Sequence, residues 1–264
     1  MKKIVESTEA PRTKKSIKEQ LQDLGLKPGM KVLVHSSLSS LGWVNGGAVT
    51  VIEALMEVIT EQGTIVMPSQ SVDLSNPSKW ENPPVPESWW STIKDTMPAY
   101  HPSYTPTTGM GKIVEVFRTY PNVIRSNHPS CSFVTWGKDK ELILEKSDFD
   151  FPFGEGSPLD KLYQQDSYVL LLGVGFDSNT CFHLAEYRIP YRKEIIEGAP
   201  IMKDNERIWK EYRTLEYREE LFEEMGEDYE QTGKITVGKV GSATSKLFSL
   251  QSAVNFAELW LSNR

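Results

Sequence analysis

His183 and Glu186 are the two side chains whose types and spacing are best suited to moving a proton. An imidazole titrates near neutral pH, and a carboxylate three residues further along a helix shares its face, where it can fix the ring's tautomer and steady its charge. Such a pair can take a proton from a nucleophile. An isolated His-x-x-Glu is more often a surface pair at a helix start, so the surroundings have to decide. The pair closes the stretch Tyr168-Val-Leu-Leu-Leu-Gly-Val-Gly-Phe-Asp-Ser-Asn-Thr-Cys-Phe-His-Leu-Ala-Glu186. Its apolar start is short and β-rich, which predicts a strand buried on both faces of a parallel or mixed sheet. Gly173 and Gly175 end the strand. Asp177, Ser178, Asn179 and Thr180 are each able to cap the helix that carries His183 by accepting from its free first-turn N–H groups.

Other chemistries fit this stretch less well. A dinucleotide fingerprint needs a third glycine where Ser178 stands, and no acidic residue follows a second strand at the expected distance. His183 and Glu186 are ligand types, but four histidines without a His-Glu-x-x-His or a paired-cysteine motif argue against a metal. Cys181 precedes His183 by two residues, and a helix points such neighbours in different directions, so the thiol reads as inert.

Composition bounds the rest. A chain of 264 residues, 39% hydrophobic and 25% charged, is large enough for one extended domain, here residues 1–264, with residues 191–233 as a small lobe within it. The formal net charge of −7 argues against a nucleic-acid partner and permits a cationic one. Residues Met1 to Arg12 read as neither a signal peptide nor an anchor, and no run approaches a membrane span. Two cysteines, Cys131 and Cys181, suggest a reducing compartment, so the expected location is cytoplasmic.

The elements that must position the pair can be followed along the chain. Thr13 caps a helix through Ile17, Leu21 and Leu24, stopped by Gly25 and Pro28-Gly29. Lys31 to Val34 is a strand, followed by the hydroxyl- and glycine-rich loop His35 to Gly47 and a helix with Val49, Ile52, Leu55, Met56 and Ile59 on one stripe. That loop offers backbone N–H groups and a helix's positive end to an anion, which suits a pyrophosphate or phosphopantetheine; a flexible connection is the plainer alternative. Thr64 to Pro68 is the next strand. Ser69 to Pro102 is a long, poorly periodic stretch whose Trp80, Trp89 and Trp90 either wall a cleft or pack the loop down. Thr105 to Gly111 opens another helix, Arg125 to Gly137 turns into a strand, and Ser157-Pro158 starts a helix. A hairpin is expected at Lys203-Asp204-Asn205, then an acidic helix from Arg218 to Gln231, a strand from Lys234 to Val240 and a last helix from Ser249 to Leu261.

Four segments together resemble the antibiotic N-acetyltransferase family, the aminoglycoside 3-N-acetyltransferases and their relatives. They are Val34-His-Ser-Ser-Leu-Ser-Ser-Leu-Gly42, Thr105-Pro-x-x-Gly109 with Phe117-Arg118, Arg125-Ser-x-His-Pro129, and Leu172-Gly-Val-Gly-x-x-x-x-Thr-x-x-His-Leu-Ala-Glu186, with Gly154-x-Gly-Ser-Pro-Leu159 between the last two. The resemblance covers roughly residues 30 to 260. It implies an α/β/α sandwich with a central mixed sheet, distinct from the commoner acetyltransferase superfamily, acetyl-CoA as donor and an amine as acceptor, without a metal.

By the same resemblance His183 is the catalytic base and Glu186 its partner, and coenzyme contacts fall on His35, Ser36, Ser37, Leu38, Ser39, Gly42 and Val44, with Thr107 and Ser126. An aminoglycoside carries several ammonium groups, so its pocket needs uncommitted carboxylates. Asp73, Asp177 and Glu186 are the expected contacts, and the acidic helix around Glu223 adds long-range attraction. The expected reaction is direct transfer to the 3-amino group of a 2-deoxystreptamine ring by a monomer or homodimer. A different, biosynthetic amine and a catalytically silent coenzyme-binding protein stand as alternatives.

Overall fold

Val32 to His35, Thr64 to Pro68 and Val169 to Leu172 are buried without interruption, which only a sheet covered on both faces allows. The computed structural model describes residues 2–145 and 148–264; Met1 of the opening segment lies outside them. In chain order the first elements are α1 (Lys2–Glu6), α2 (Lys14–Asp23), β1 (Lys31–Ser36), α3 (Gly47–Ile59), β2 (Thr64–Pro68), α4 (Trp90–Thr96) and α5 (Gly111–Phe117). Then come β3 (Ile124–Arg125), β4 (Phe133–Gly137), α6 (Lys140–Leu144), α7 (Pro158–Gln164), β5 (Tyr168–Leu172) and α8 (Phe182–Arg188). The chain ends with β6 (Glu194–Lys203), β7 (Glu206–Leu215), α9 (Phe222–Glu230), β8 (Thr236–Val240), β9 (Ala243–Ser249) and α10 (Leu250–Ser262).

Seven strands form one mixed sheet in the order β3-β4-β2-β1-β5-β9-β8. β1 is parallel to both β2 and β5, and the outer pairings are antiparallel. Strand periodicity divides the side chains between two cores. Val32, Val34, Ile65, Met67, Leu170 and Leu172 face α2, α3 and α5, while Leu33, Val66, Val169 and Leu171 face the side covered by α7, α8, α9 and α10. The architecture is therefore a large mixed sheet between two helical layers.

Because β1 lies between its two parallel neighbours, the chain leaves β1 toward β2 and returns at β5 on the other side. The carboxyl ends of β1 and β5 thus flank a topological switch point, where an α/β sheet opens a crevice. The loop after β1 and the turn after β5 both empty into it.

Several elements differ from the expectations. Ser69 to Pro102 is not without structure, since it holds α4 and two 3₁₀ turns, and β6–β7 pins it down: Tyr100 N–H donates to Pro200 O, and the Arg207 side chain donates to the carbonyls of Lys94 and Met97. The stripe of α3 is rotated, with Ala48, Val51, Ala54 and Val58 joining Ile52, Leu55 and Ile59 inside, while Val49 is 43% exposed. The two small alanines let α3 approach the sheet, and an almost uniformly apolar helix does not reveal that phase. β9 was not expected at all. The 191–233 segment divides: β6–β7 is a separate two-stranded sheet, whereas Phe222, Met225 and Tyr229 of α9 belong to the second core. No helix among the described residues is long and apolar enough to cross a membrane.

Candidate active site

Beyond the ends of β1 and β5 lies a cavity of about 890 Å³. One flank is built by Val34 to Ser39, Gly42 to Val44 and Gly47 after β1, with Gly109 to Lys112 at the start of α5. The other is built by Val174, Asp177, Ser178 and Thr180 after β5, by His183 of α8, and by Glu219 and Phe222 ahead of and within α9. The first flank needs its glycines: Gly46 and Gly47 take φ of 83° and 61°, and no side chain caps the first turn of α3. Ser37, Ser39 and Ser40 form a hydroxyl ladder, with Ser40 donating to Ser37 at 2.8 Å and Ser37 and Ser39 sharing a bond of 3.2 Å. Lys112 adds a cation.

His183 is buried, and its Nδ1 lies 2.7 Å from Glu186 Oε2. A carboxylate accepts, so Nδ1 carries the proton of the neutral ring and Nε2 keeps the lone pair. The other oxygen of Glu186 accepts from the backbone N–H of Arg218 at 2.6 Å, so Glu186 cannot rotate away. Phe153 stacks on the imidazole at 4.9 Å and 8°, and Tyr217 and Phe222 tilt against it at 4.3 and 4.9 Å. Nε2 is the nitrogen left for chemistry, and Glu219 Oε1 sits 3.3 Å from it. Burial alone disfavours the imidazolium, but the bonds and charges of Glu186 and Glu219 outweigh it and raise the pKa of His183.

The helix start differs from the expectation. None of Asp177, Ser178, Asn179 and Thr180 caps α8 with its side chain; its N-cap is Cys181. Backbone bonds three residues apart, from Phe182, His183 and Leu184 N–H to Asn179, Thr180 and Cys181 O, satisfy the first turn instead. A preceding 3₁₀ turn over Phe176–Ser178 tightens the entry.

His35, Ser36, Ser37, Leu38, Ser39, Gly42 and Val44 all line the cavity, as does Asp177. His35 follows Leu33 by two residues and pairs with Leu171, so it projects to the face of the sheet that α8 covers. Its Nε2 is buried without a hydrogen-bond partner among the described residues, and burial, then the charge of His183, push its pKa down to about 3. Thr107, Ser126 and Asp73 lie outside the lining. Thr107 donates from N–H and hydroxyl to Glu115, Ser126 accepts from Phe133 N–H, and exposed Asp73 accepts from Thr108 at 2.8 Å. Glu186, expected also as an acceptor contact, stands behind His183 with both oxygens engaged and does not line the cavity, whereas Glu219 does.

Glu219 is the residue that sequence reasoning missed. It belongs to an acidic run that reads as a solvated face, and nothing in its spacing separates it from Glu220 or Glu223. Trp43 and Lys112 were also missed, while Trp80, Trp89 and Trp90 do not reach the cavity. Cys131 and Cys181 are buried outside it. Among the described residues, no three His, Cys, Asp or Glu side chains gather as metal ligands would.

Comparison with known proteins adds an independent observation. A family model described as aminoglycoside 3-N-acetyltransferase matches residues 33–262. The SPbeta prophage-derived aminoglycoside N(3')-acetyltransferase-like protein YokD of Bacillus subtilis (strain 168) is 66% identical over 264 residues, covering 100% of this chain and 97% of that protein. Aminoglycoside N(3)-acetyltransferase IX of Micromonospora chalcea is 32% identical over 272 residues, covering 95% and 94%. The crystal structure of YokD superposes with a TM-score of 0.99 at 65% identity, covering 100% of this chain and 98% of that one. A binary complex of AAC-IIIb with CoASH gives 0.86 at 26% identity, covering 97% and 98%. AAC-VIa bound to sisomicin gives 0.87 at 27% identity, covering 97% and 99%.

Proposed function

The chain belongs to the aminoglycoside 3-N-acetyltransferase family, and from that premise we propose that it transfers the acetyl group of acetyl-CoA directly to an amine of an aminoglycoside, the 3-amino group of a 2-deoxystreptamine ring. The observation that carries the reading is His183: Nδ1 is tied to buried Glu186, and Nε2 faces a cavity large enough for a donor and an acceptor. That is the arrangement of a general base held in one tautomer.

The two flanks suit the two substrates. Backbone N–H groups of the β1–α3 loop, the serine ladder and Lys112 favour the pyrophosphate and pantetheine arm of acetyl-CoA. Asp177 and Glu219 favour an ammonium group, and solved neighbours include one in a binary complex with CoASH and one bound to sisomicin. The amine nitrogen attacks the thioester carbonyl, the C–N bond forms, and N–H donors of the glycine-rich loop face the developing oxyanion. The C–S bond then breaks, and coenzyme A leaves as a thiol. Neither cysteine lines the cavity, which favours transfer without an acyl-enzyme.

The test is release of free thiol from acetyl-CoA across a panel of aminoglycosides and simple amines. Aminoglycoside-dependent release that His183→Ala abolishes is the expected result. Faster turnover of an uncharged or singly charged amine would move the acceptor to a biosynthetic one, and binding of acetyl-CoA without turnover of any amine would leave a coenzyme-binding protein.

A further inference from the structure

Glu219 Oε1 stands 3.3 Å from His183 Nε2, where a reacting amine must come to give up its proton. Little else holds it there. Its side chain is 65% exposed and makes no other hydrogen bond or ion pair among the described residues, whereas Glu186 is buried with both oxygens engaged. One carboxylate of the site is fixed, and the other is held by a single contact at the mouth of the cavity.

We propose that Glu219 is a positioning and specificity residue for the reaction inferred above: it closes on His183 in the free protein, passes to the ammonium of an incoming cationic acceptor, and so frees Nε2 only when such an acceptor is in place. The proposal rests on the reading of the cavity as an amine acetyltransferase site. An acceptor without a positive charge offers Glu219 nothing to exchange for the imidazolium, so the device selects for cationic amines.

Proton accounting supports the need for it. Two carboxylates, at 2.7 Å from Nδ1 and 3.3 Å from Nε2, favour the charged ring over the neutral one, and a protonated ring is no base. The groups that face it are Glu186 on its own helix, Glu219 ahead of α9, Tyr217 after β7 and His35 from β1, with Asp177 and Lys112 on the cavity wall. When Glu219 leaves and an ammonium arrives, both changes favour loss of the Nε2 proton to solvent. The neutral ring takes one proton from the ammonium. A second passes from the attacking nitrogen to the departing thiolate, and the ring ends protonated as it began. One ammonium and one thioester thus give one amide, one thiol and one proton in solution.

The experiment follows the histidine resonances by NMR through a pH titration of the whole protein, in wild type and in Glu219→Gln; four histidines make the assignment tractable. In the free protein the His183 midpoint should be higher in wild type than in Glu219→Gln, and equal midpoints overturn the proposal. Saturating sisomicin should lower the wild-type midpoint and move that of the variant less; an unmoved wild-type midpoint overturns the proposal. In kinetics, the acid limb of kcat/KM should lie at higher pH than that of kcat in wild type, and the two should converge in Glu219→Gln. The variant's KM for the aminoglycoside should rise about tenfold or more, with that for acetyl-CoA unchanged. Calorimetry tells this apart from failure of the acceptor assignment. If sisomicin does not bind wild type, that assignment falls, and the same titration with spermidine decides the gate: a lowered midpoint supports it, and an unmoved one overturns it.

Discussion

At His183 the two ring nitrogens carry different duties, and substitutions separate them. His183→Ala removes the base while leaving the serine ladder and Lys112 intact, so acetyl transfer should fall roughly 10²- to 10⁴-fold with acetyl-CoA binding retained, as kinetics and calorimetry on one preparation will tell. Glu186→Gln keeps the shape but removes the charge behind the ring, and turnover should fall roughly 10- to 1,000-fold. Glu186 also satisfies the N–H of Arg218, so Glu186→Ala should in addition cost about 1 to 3 kcal/mol of stability in urea unfolding, a penalty that Glu186→Gln largely avoids. The thiols belong to a different class. Burial pushes Cys181 up to about 12 and Cys131 well above its ordinary range. Iodoacetamide should therefore leave both unmodified in the native protein by mass spectrometry, and rapid alkylation of either would contradict their burial.

At the level of elements, legibility followed the strength of local signals. Thr13 and Ser157 each cap a helix with their own side chain, and Asp204 and Asn205 are residue types that tolerate the φ angles of 50° and 64° their turn requires, so all three were readable from the sequence. β5 with its glycines was readable because a doubly covered strand must be apolar throughout. What escaped notice depends on partners distant in sequence. β9 alternates buried and exposed residues but buries Ser245, so its pattern looks like a polar loop; pairing with β5 on one side and β8 on the other makes it a strand, and the Gly241-Ser242 turn was its one local signal. Glu219 owes its place to α9, and α9 owes its own to Gly226, where a Cβ would collide with the ring of Phe176 in the turn after β5. This close approach ties the turn carrying Asp177 to the helix behind Glu219. Gly226→Ala should cost about 1 to 3 kcal/mol through overpacking, seen as a lowered Tm, and should raise the acceptor's KM while sparing that of acetyl-CoA. A lowered Tm with unchanged KM would mean that the two elements move independently.

For the whole molecule, the buried histidines set how stability responds to acid. Burial lowers His35 to about 3 and His128 to about 4, and His128 is further committed because its Nδ1 accepts from Cys131 N–H. Below pH 6.5 the unfolded chain binds protons at these two positions that the folded chain refuses, so stability falls as pH drops toward 4. His183 works the other way. Its folded pKa is raised, so its contribution is complete below 6.5 and is lost as pH rises through the folded value. Glu115, held at about 2 chiefly by Arg118, contributes stability above its ordinary 4.5 that is lost only as pH falls toward 2. One pKa unit corresponds to about 1.4 kcal/mol, so His35 and His128 each withdraw on the order of a few kcal/mol by pH 4, out of a typical total of about 5 to 15. His183 adds no slope in this window, because its contribution is already complete below 6.5, so the two lowered histidines set the sign. Urea unfolding should give a stability that falls by several kcal/mol between pH 6.5 and 4, and His128→Asn, whose side-chain oxygen can still accept from Cys131 N–H, should flatten that slope. A profile flat down to pH 4 in wild type would show that both rings reach water or a partner and take up their protons in the folded state.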